Sequence, residues 1–278
     1  MSSTPAIGGT PRVQIMGVLN LTPDSFSDGG DFLDSSAAID HAMKMAEDGA
    51  DILDLGAEST RPGSRGVGAK EQLARILPVL RALRSKANFE ALLSIDTQSA
   101  NVAEACLDEG ADMINDVSAL RHDSRMGDVL AKWKDARVIL THMLGTPESM
   151  QENPQYADVV KDILCFFRER VTACGKSGIH SSRVWLDPGF GFGKAFEHTL
   201  EIMRRFHEIA VLSRPLVAGV SRKSFIGRLC GRQVPKERDA ASIAAGLVLV
   251  QRGASVLRVH DVAGHVSALK VFESLRHS

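Results

Sequence analysis

The chain has 278 residues, a formal net charge of −1 at pH 7, 44% hydrophobic and 24% charged residues. That length fits one α/β barrel or two ordinary domains, and the hydrophobic content excludes a disordered chain. The near-zero charge offers no basic face to a nucleic acid, and the cysteines Cys106, Cys165, Cys174 and Cys230 form neither a CxxC pair nor a disulfide framework, as suits a reducing cytoplasm.

Residues 1–12 are dominated by Ser, Thr, Pro and Gly, lack the apolar stretch of a secretion signal, and read as a flexible tail ahead of a single domain over 13–278. Short apolar runs then alternate with longer helical stretches. The runs predict strands over 14–20, 51–55, 92–95, 112–115, 137–141, 183–186, 216–218 and 256–259. The stretches between them predict helices over 36–48, 69–86, 99–109, 124–133, 156–176, 197–208, 236–252 and 262–275. Gly49, Gly110, Gly178 and Gly253 stand just before a strand, where glycine supplies the left-handed turn that ends a helix. Alternation of this kind argues for a parallel sheet, and eight units favour a closed (β/α)8 TIM barrel. An open doubly wound sheet is the competitor, but the first strand leads into Asn20-Leu21-Thr22-Pro23-Asp24 and not a GxGxxG turn. The apolar run 240–250 is too short to span a bilayer and reads as a buried or subunit-interface helix.

A barrel of this kind carries its site on the rim where the strands end. Strand one is followed by Asn20, Thr22, Asp24 and Ser25, and strand two by Glu58, Ser59, Thr60 and Arg61. Strand three yields Asp96 and Thr97, strand four Asn115 and Asp116, strand five His142 and Met143. Strand six yields Asp187, strand seven Ser221, Arg222, Lys223 and Ser224, strand eight Arg258, His260 and Asp261. Helix capping accounts for any one Asp, Asn, Ser or Thr. It does not account for amides, carboxylates and cations together on one rim.

Asp187 opens Asp187-Pro188-Gly189-Phe190-Gly191-Phe192-Gly193-Lys194, whose glycines predict a backbone that approaches something planar. Ala195 stands where a Walker loop needs Ser or Thr, so this is no phosphate loop of that type. Asp96, Asn115, Asp187 and Lys223 suit a flat heterocycle with paired N–H donors and ring acceptors, although an ion pair across the mouth also explains Asp187 and Lys223. Arg61, Arg258 and His260, with Asn20 and Thr60, suit phosphate oxygens. Asn20 can supply an oxygen to Mg²⁺, which keeps much of its shell as water and phosphate; a turn residue is the plainer reading. The stretches 21–35 and 57–68 have the composition of lids over a site. The nine histidines contain no HExxH, and no GxSxG elbow is present, so zinc chemistry and serine nucleophiles are disfavoured.

Taken in order, Met16–Gly30, Glu58-Ser59-Thr60-Arg61-Pro62-Gly63, Ile95-Asp96-Thr97, Ile114–Val117, His142-Met143, Asp187–Lys194, Ser221–Gly227 and Arg258–Val262 resemble the dihydropteroate synthases of folate synthesis. The resemblance implies a barrel enzyme, cytoplasmic and homodimeric, that joins two small molecules, 4-aminobenzoate and 6-hydroxymethyl-7,8-dihydropterin diphosphate, with Mg²⁺. It implies a pterin pocket of Asp96, Asn115, Asp187 and Lys223 lined by Met143, and Asn20 on the metal. Thr60, Arg61, Arg258 and His260 would hold the diphosphate, while Phe26, Pro62, Phe192 and Ser224 would shape the aminobenzoate pocket, with Arg222 beside them. Sulfonamides are expected to compete there. Thr97-Gln98-Ser99-Ala100 and Gly56-Ala57 depart from the usual pattern without touching an assigned residue. A pterin-binding methyltransferase domain and a non-catalytic pterin-binding protein are the alternative readings.

Overall fold

The computed structural model describes residues 12–22, 35–58, 66–145, 150 and 154–276. Its strands are β1 (Gln14–Asn20), β2 (Ile52–Gly56), β3 (Leu92–Asp96), β4 (Met113–Asp116), β5 (Arg137–Thr141), β6 (Val184–Asp187), β7 (Val217–Ala218) and β8 (Val256–Val259). All neighbouring pairs run parallel in the order β6-β5-β4-β3-β2-β1-β8-β7. A parallel bridge from Leu186 to Leu216, beside a 3.0 Å bond from Leu186 N to Pro215 O, joins the two ends of that order. The sheet is therefore a barrel, and the open-sheet alternative is set aside. Of the expected tail over 1–12, residues 1–11 lie outside the described residues, and Arg12 pairs with Asp51 at 3.1 Å.

The helices are α1 (Ser35–Glu47), α2 (Ala69–Arg84), α3 (Ala100–Asp108), α4 (Met126–Lys132), α5 (Val159–Lys176), α6 (Phe196–Arg204), α7 (Phe206–Ile209), α8 (Ser224–Cys230), α9 (Asp239–Gln251) and α10 (Val262–Arg276). Gly49, Gly110, Gly178 and Gly253 have φ of 99°, 90°, 81° and 104°, the left-handed turn expected of them. Asp158 caps α5 by accepting from Val160 N and Lys161 N. The expected helix 197–208 divides into α6 and α7 at Arg205, and 236–252 begins as a 3₁₀ turn over Pro235–Arg238.

Strand residues alternate between two faces, and each face has its own core. Outward residues such as Ile15, Leu19, Leu53 and Leu55 join the large apolar layer that includes buried residues of the helices. Inward, Met16, Ile52, Met113, Ile139, Trp185, Val217 and Val256, with Leu92 against them, make a small separate cluster. Burying each such side chain contributes about 1.5–3 kcal/mol, so this plug is a rigid floor. Two positions further along the same strands, the inward residues change character. They are Val18, Asp54, Ser94, Asn115, Thr141, Asp187, Gly219 and Arg258. A further step of two reaches Asn20, Gly56 and Asp96 on β1 to β3, and His260 just beyond β8. The period of the strand alone stacks a polar layer on an apolar floor.

Candidate active site

Arg258 lies at the centre of that polar layer. Its Nε–H donates to Asp54 Oδ2 at 2.7 Å and its Nη2 donates to Asp96 Oδ2 at 2.9 Å, while Nη2 also lies 2.6 Å from Asp54 Oδ2 as an ion pair. Asn115 Nδ2 donates to the same Asp54 oxygen at 3.0 Å. Asp54 is fully buried, while Asp96, Asn115 and Asp187 stay between 4% and 8% exposed. Burial acts against the Arg258 charge, but Asp54 and Asp96 outweigh it and hold its pKa above the ordinary value. One cation shared by two carboxylates neutralises neither fully. Burial, then, pushes Asp96 up, to about 7, against the pull of Arg258, and the nearby charges of Asp54, Glu58 and Asp116 push the same way.

Asp187 ends β6 across the mouth. Its Oδ1 accepts from Gly189 N at 2.7 Å, and its Oδ2 lies 3.6 Å from where a Cβ on Gly219 would stand. Burial raises its pKa, opposed by that hydrogen bond and by the charges of Lys223, Arg258 and Lys194. Three cations thus surround one carboxylate, and Lys223 Nζ also sits 4.6 Å over the Phe192 ring. Met143 is 4% exposed, and its carbonyl accepts from Arg121 Nη2 at 3.0 Å.

Two glycines of this stretch serve a purpose the sequence did not show. A Cβ on Gly189 would stand 2.1 Å from His142 O, and one on Gly193 would stand 2.6 Å from Leu144 O. Their φ values are 70° and 63°. At Gly189 and Gly193 they let the segment after β6 close onto the backbone after β5, so at these two positions the close neighbour is protein backbone. Only Gly191 faces a site residue, with its Cβ position 3.7 Å from Lys223 Cδ. Phe190 is core, stacked on Phe206 at 6.3 Å.

On the anion side, Ser221 Oγ accepts from His260 N at 3.2 Å and lies 3.0 Å from His260 Nδ1. Burial pushes His260 down to about 3, helped by Arg222, Arg258 and Lys223 and opposed by Asp239. The ring is neutral at physiological pH. Arg222, at φ 59°, is held by Asp239 through bonds of 2.6 and 2.8 Å. Ser224 is exposed at the start of α8, a helix absent from the expected pattern. A Cβ on Gly56 would stand 3.8 Å from Asp96 Oδ2 and 3.9 Å from Asn20 Oδ1, so Asn20 faces the same mouth. Thr60, Arg61, Phe26 and Pro62 lie outside the described residues, as does most of both candidate lids.

Some strand-end residues are turn formers. Asp116 accepts from Ser118 N, Ser118 Oγ and Leu120 N, and Asp261 Oδ1 accepts from Gly264 N. Others escaped the sequence reading. Asp54 lies inside a strand, and its only signal is an acid at an inward position of an apolar run. Lys194, 4% exposed, donates from Nζ to His142 Nδ1 at 2.9 Å, His142 O at 3.0 Å and Phe192 O at 2.9 Å. Gln72 donates to Glu58 Oε2 and Val67 O and accepts from Thr97 Oγ1, tying both flanks of residues 59–65 to the end of β3.

The family model described as pterin binding enzyme matches residues 16–260. A dihydropteroate synthase of Neisseria meningitidis serogroup C is 43% identical over 270 residues, covering 96% of this chain and 94% of that one. The solved structure of Xanthomonas albilineans dihydropteroate synthase with 4-aminobenzoic acid matches with a TM-score of 0.89 at 43% identity, covering 96% of this chain and 94% of that one. Yersinia pestis dihydropteroate synthase, solved as a sulfonamide drug complex, gives 0.90 at 39% identity, covering 96% and 95%. Likeness over nearly the whole length, by family model, sequence and solved structure, shows that the chain belongs to the dihydropteroate synthase family.

Proposed function

We infer that the barrel mouth joins 4-aminobenzoate to 6-hydroxymethyl-7,8-dihydropterin diphosphate, releasing pyrophosphate and forming 7,8-dihydropteroate for folate synthesis. The observation that carries this reading is the rim itself, where buried Asp96, Asn115 and Asp187 stand within reach of Arg258 and Lys223. Carboxylates and an amide match the donor and acceptor edge of a pterin. As the methylene carbon parts from the diphosphate oxygen, positive charge spreads into the ring between Asp96 and Asp187. Negative charge grows on the leaving group, where neutral His260 and the guanidinium of Arg61 donate hydrogen bonds. The amine nitrogen forms the new bond to that carbon and loses a proton to solvent. An arylamine is uncharged at neutral pH, so no strong base is needed. Positioning and electrostatics carry the rate.

Asn20 Oδ1, facing Asp96 Oδ2 across Gly56, fits an ion that draws most of its ligands from water and diphosphate. Mg²⁺ held there would neutralise charge on the departing diphosphate. No cluster of three His, Cys, Asp or Glu suited to a metal occurs among the described residues. Phe192 and Ser224, with Phe26 and Pro62, would receive the aminobenzoate, and a sulfonamide would compete for that place. We also assign a homodimer. α9 and α10 pack together and leave Ala240, Ala244, Val248, Val271 and Leu275 exposed, the last two at 62% and 74%. No described helix is long and apolar enough to cross a membrane, and a cytoplasmic location is our reading.

The test is pyrophosphate release. It should require both substrates and Mg²⁺; release from the pterin diphosphate alone, or none with both present, contradicts the assignment. The same assay separates this activity from methyl transfer and from binding without chemistry.

A further inference from the structure

Lys194 is almost completely buried, yet the reaction as derived gives it no part. An ammonium has three N–H donors and no acceptor. Its three partners, His142 Nδ1, His142 O and Phe192 O, match those donors one for one. His142 Nδ1 must then present a lone pair, which leaves the ring neutral with its proton on Nε2. The ring packs edge-on to Phe166 at 4.8 Å, and burial pushes its pKa down to about 2, with Lys194 and Arg121 adding to the shift.

The bonds around Lys194 run straight to the pterin site. His142 N donates to Asp187 O at 2.9 Å, and Phe192 N donates to Gly189 O at 3.0 Å. Gly189 N holds Asp187 Oδ1, and the Phe192 ring lies under Lys223 Nζ. Tyr156 Oη, from the stretch that precedes α5, donates to Gly193 O at 2.7 Å. We propose that Lys194 is a positioning residue for the pterin site, whose buried ammonium fastens the segment after β6 to the end of β5 and so fixes the aim and the charge of Asp187. The inference rests on the pterin reading given above. Lys194 is one of three cations acting on Asp187, with Lys223 and Arg258. From the opposite direction, burial lowers Lys194 to about 7, Asp187 raises it and Lys223 lowers it further. The groups facing Lys194 are therefore His142 from β5, Asp187 from its own segment and Lys223 from the segment after β7.

A purely structural fastener would affect stability and little else, whereas a positioning charge must also shift pterin affinity and its pH dependence. The experiment is calorimetric titration of wild type and Lys194→Met with the pterin diphosphate from pH 5.5 to 8.5. A folded variant is expected to bind at least about tenfold more weakly, the scale of a misplaced charged hydrogen bond. The pH at which binding falls by half should also rise by about one unit, because Asp187 has lost a cation. Unchanged affinity together with an unchanged acid limb overturns the proposal. Should the variant not fold, the wild type carries the test through side-chain NMR of Lys194. Pterin that engages ionised Asp187 must raise the lysine's pKa by linkage, and no movement on saturation overturns the proposal equally. A wild type that fails to bind pterin is a different result, and it removes the site reading itself.

Discussion

Arg258 and Asp54 are 204 positions apart in the chain and meet inside the barrel, Nε–H to Oδ2, at 2.7 Å. The aspartate oxygen receives Asn115 as well, so one inward acid sets the aim of a pterin-pocket amide and of the arginine expected at the diphosphate. Removing Asp54 leaves Arg258, 22% exposed, with one carboxylate partner in place of two, and leaves Asn115 without its acceptor. Asp54→Ala should lower unfolding stability by about 1–3 kcal/mol in denaturant titrations and weaken pterin binding besides. Asp54→Asn keeps an acceptor and should cost less. Equal, small losses in both variants would show that Asp96 alone suffices for Arg258.

The glycines after β6 should differ sharply from one another. Gly189→Ala puts a Cβ 2.1 Å from the His142 carbonyl at φ 70°, so it should unfold the segment and abolish activity. Gly191→Ala meets nothing nearer than 3.7 Å and should pay only the left-handed backbone cost, about 1–2 kcal/mol. Thermal melts and turnover of the two variants check the ranking.

His142 should make the fold sensitive to acid. Its folded pKa is depressed from 6.5 to about 2, so the unfolded chain takes up the proton first as pH falls. Its contribution is whole above pH 6.5 and is lost progressively below, by about 2 kcal/mol at pH 5. Asp96 acts in the opposite sense, since its raised pKa favours the fold at low pH and that gain fades as pH climbs through about 7. The comparison is therefore with His142→Gln, which keeps an acceptor for Lys194. Between pH 6.5 and 5 the wild type should lose more stability than the variant, and parallel curves would count against a buried neutral imidazole.

Arg61→Ala should slow turnover with little change in pterin affinity, because its donors act on charge that grows only as the diphosphate leaves. Chelation of Mg²⁺ should do the same. Steady-state kinetics beside pterin binding separates the cases; a variant with normal turnover and weak pterin binding would reverse the assignment.

The barrel was readable because strand period and helix-ending glycines are local properties, and β1, β5 and β8 fall on the expected residues. The rim was readable because site residues follow strands. Asp54 was not, since the inward face of β2 is defined only by its register against β1 and β3. The pairing of Lys194 with His142 was not readable for a similar reason: 52 positions separate them, and closure of the backbone at Gly189 brings them together. α8, with seven residues, is too short for a periodic signal.

Asp187 is the residue proposed to receive the pterin. Calorimetric titration of wild type and Asp187→Ala with the pterin diphosphate measures that contact. The wild type should bind at a single site and the variant should lose about 2–4 kcal/mol, the scale of a stranded charged hydrogen-bond partner. Equal affinities in two folded proteins would contradict it.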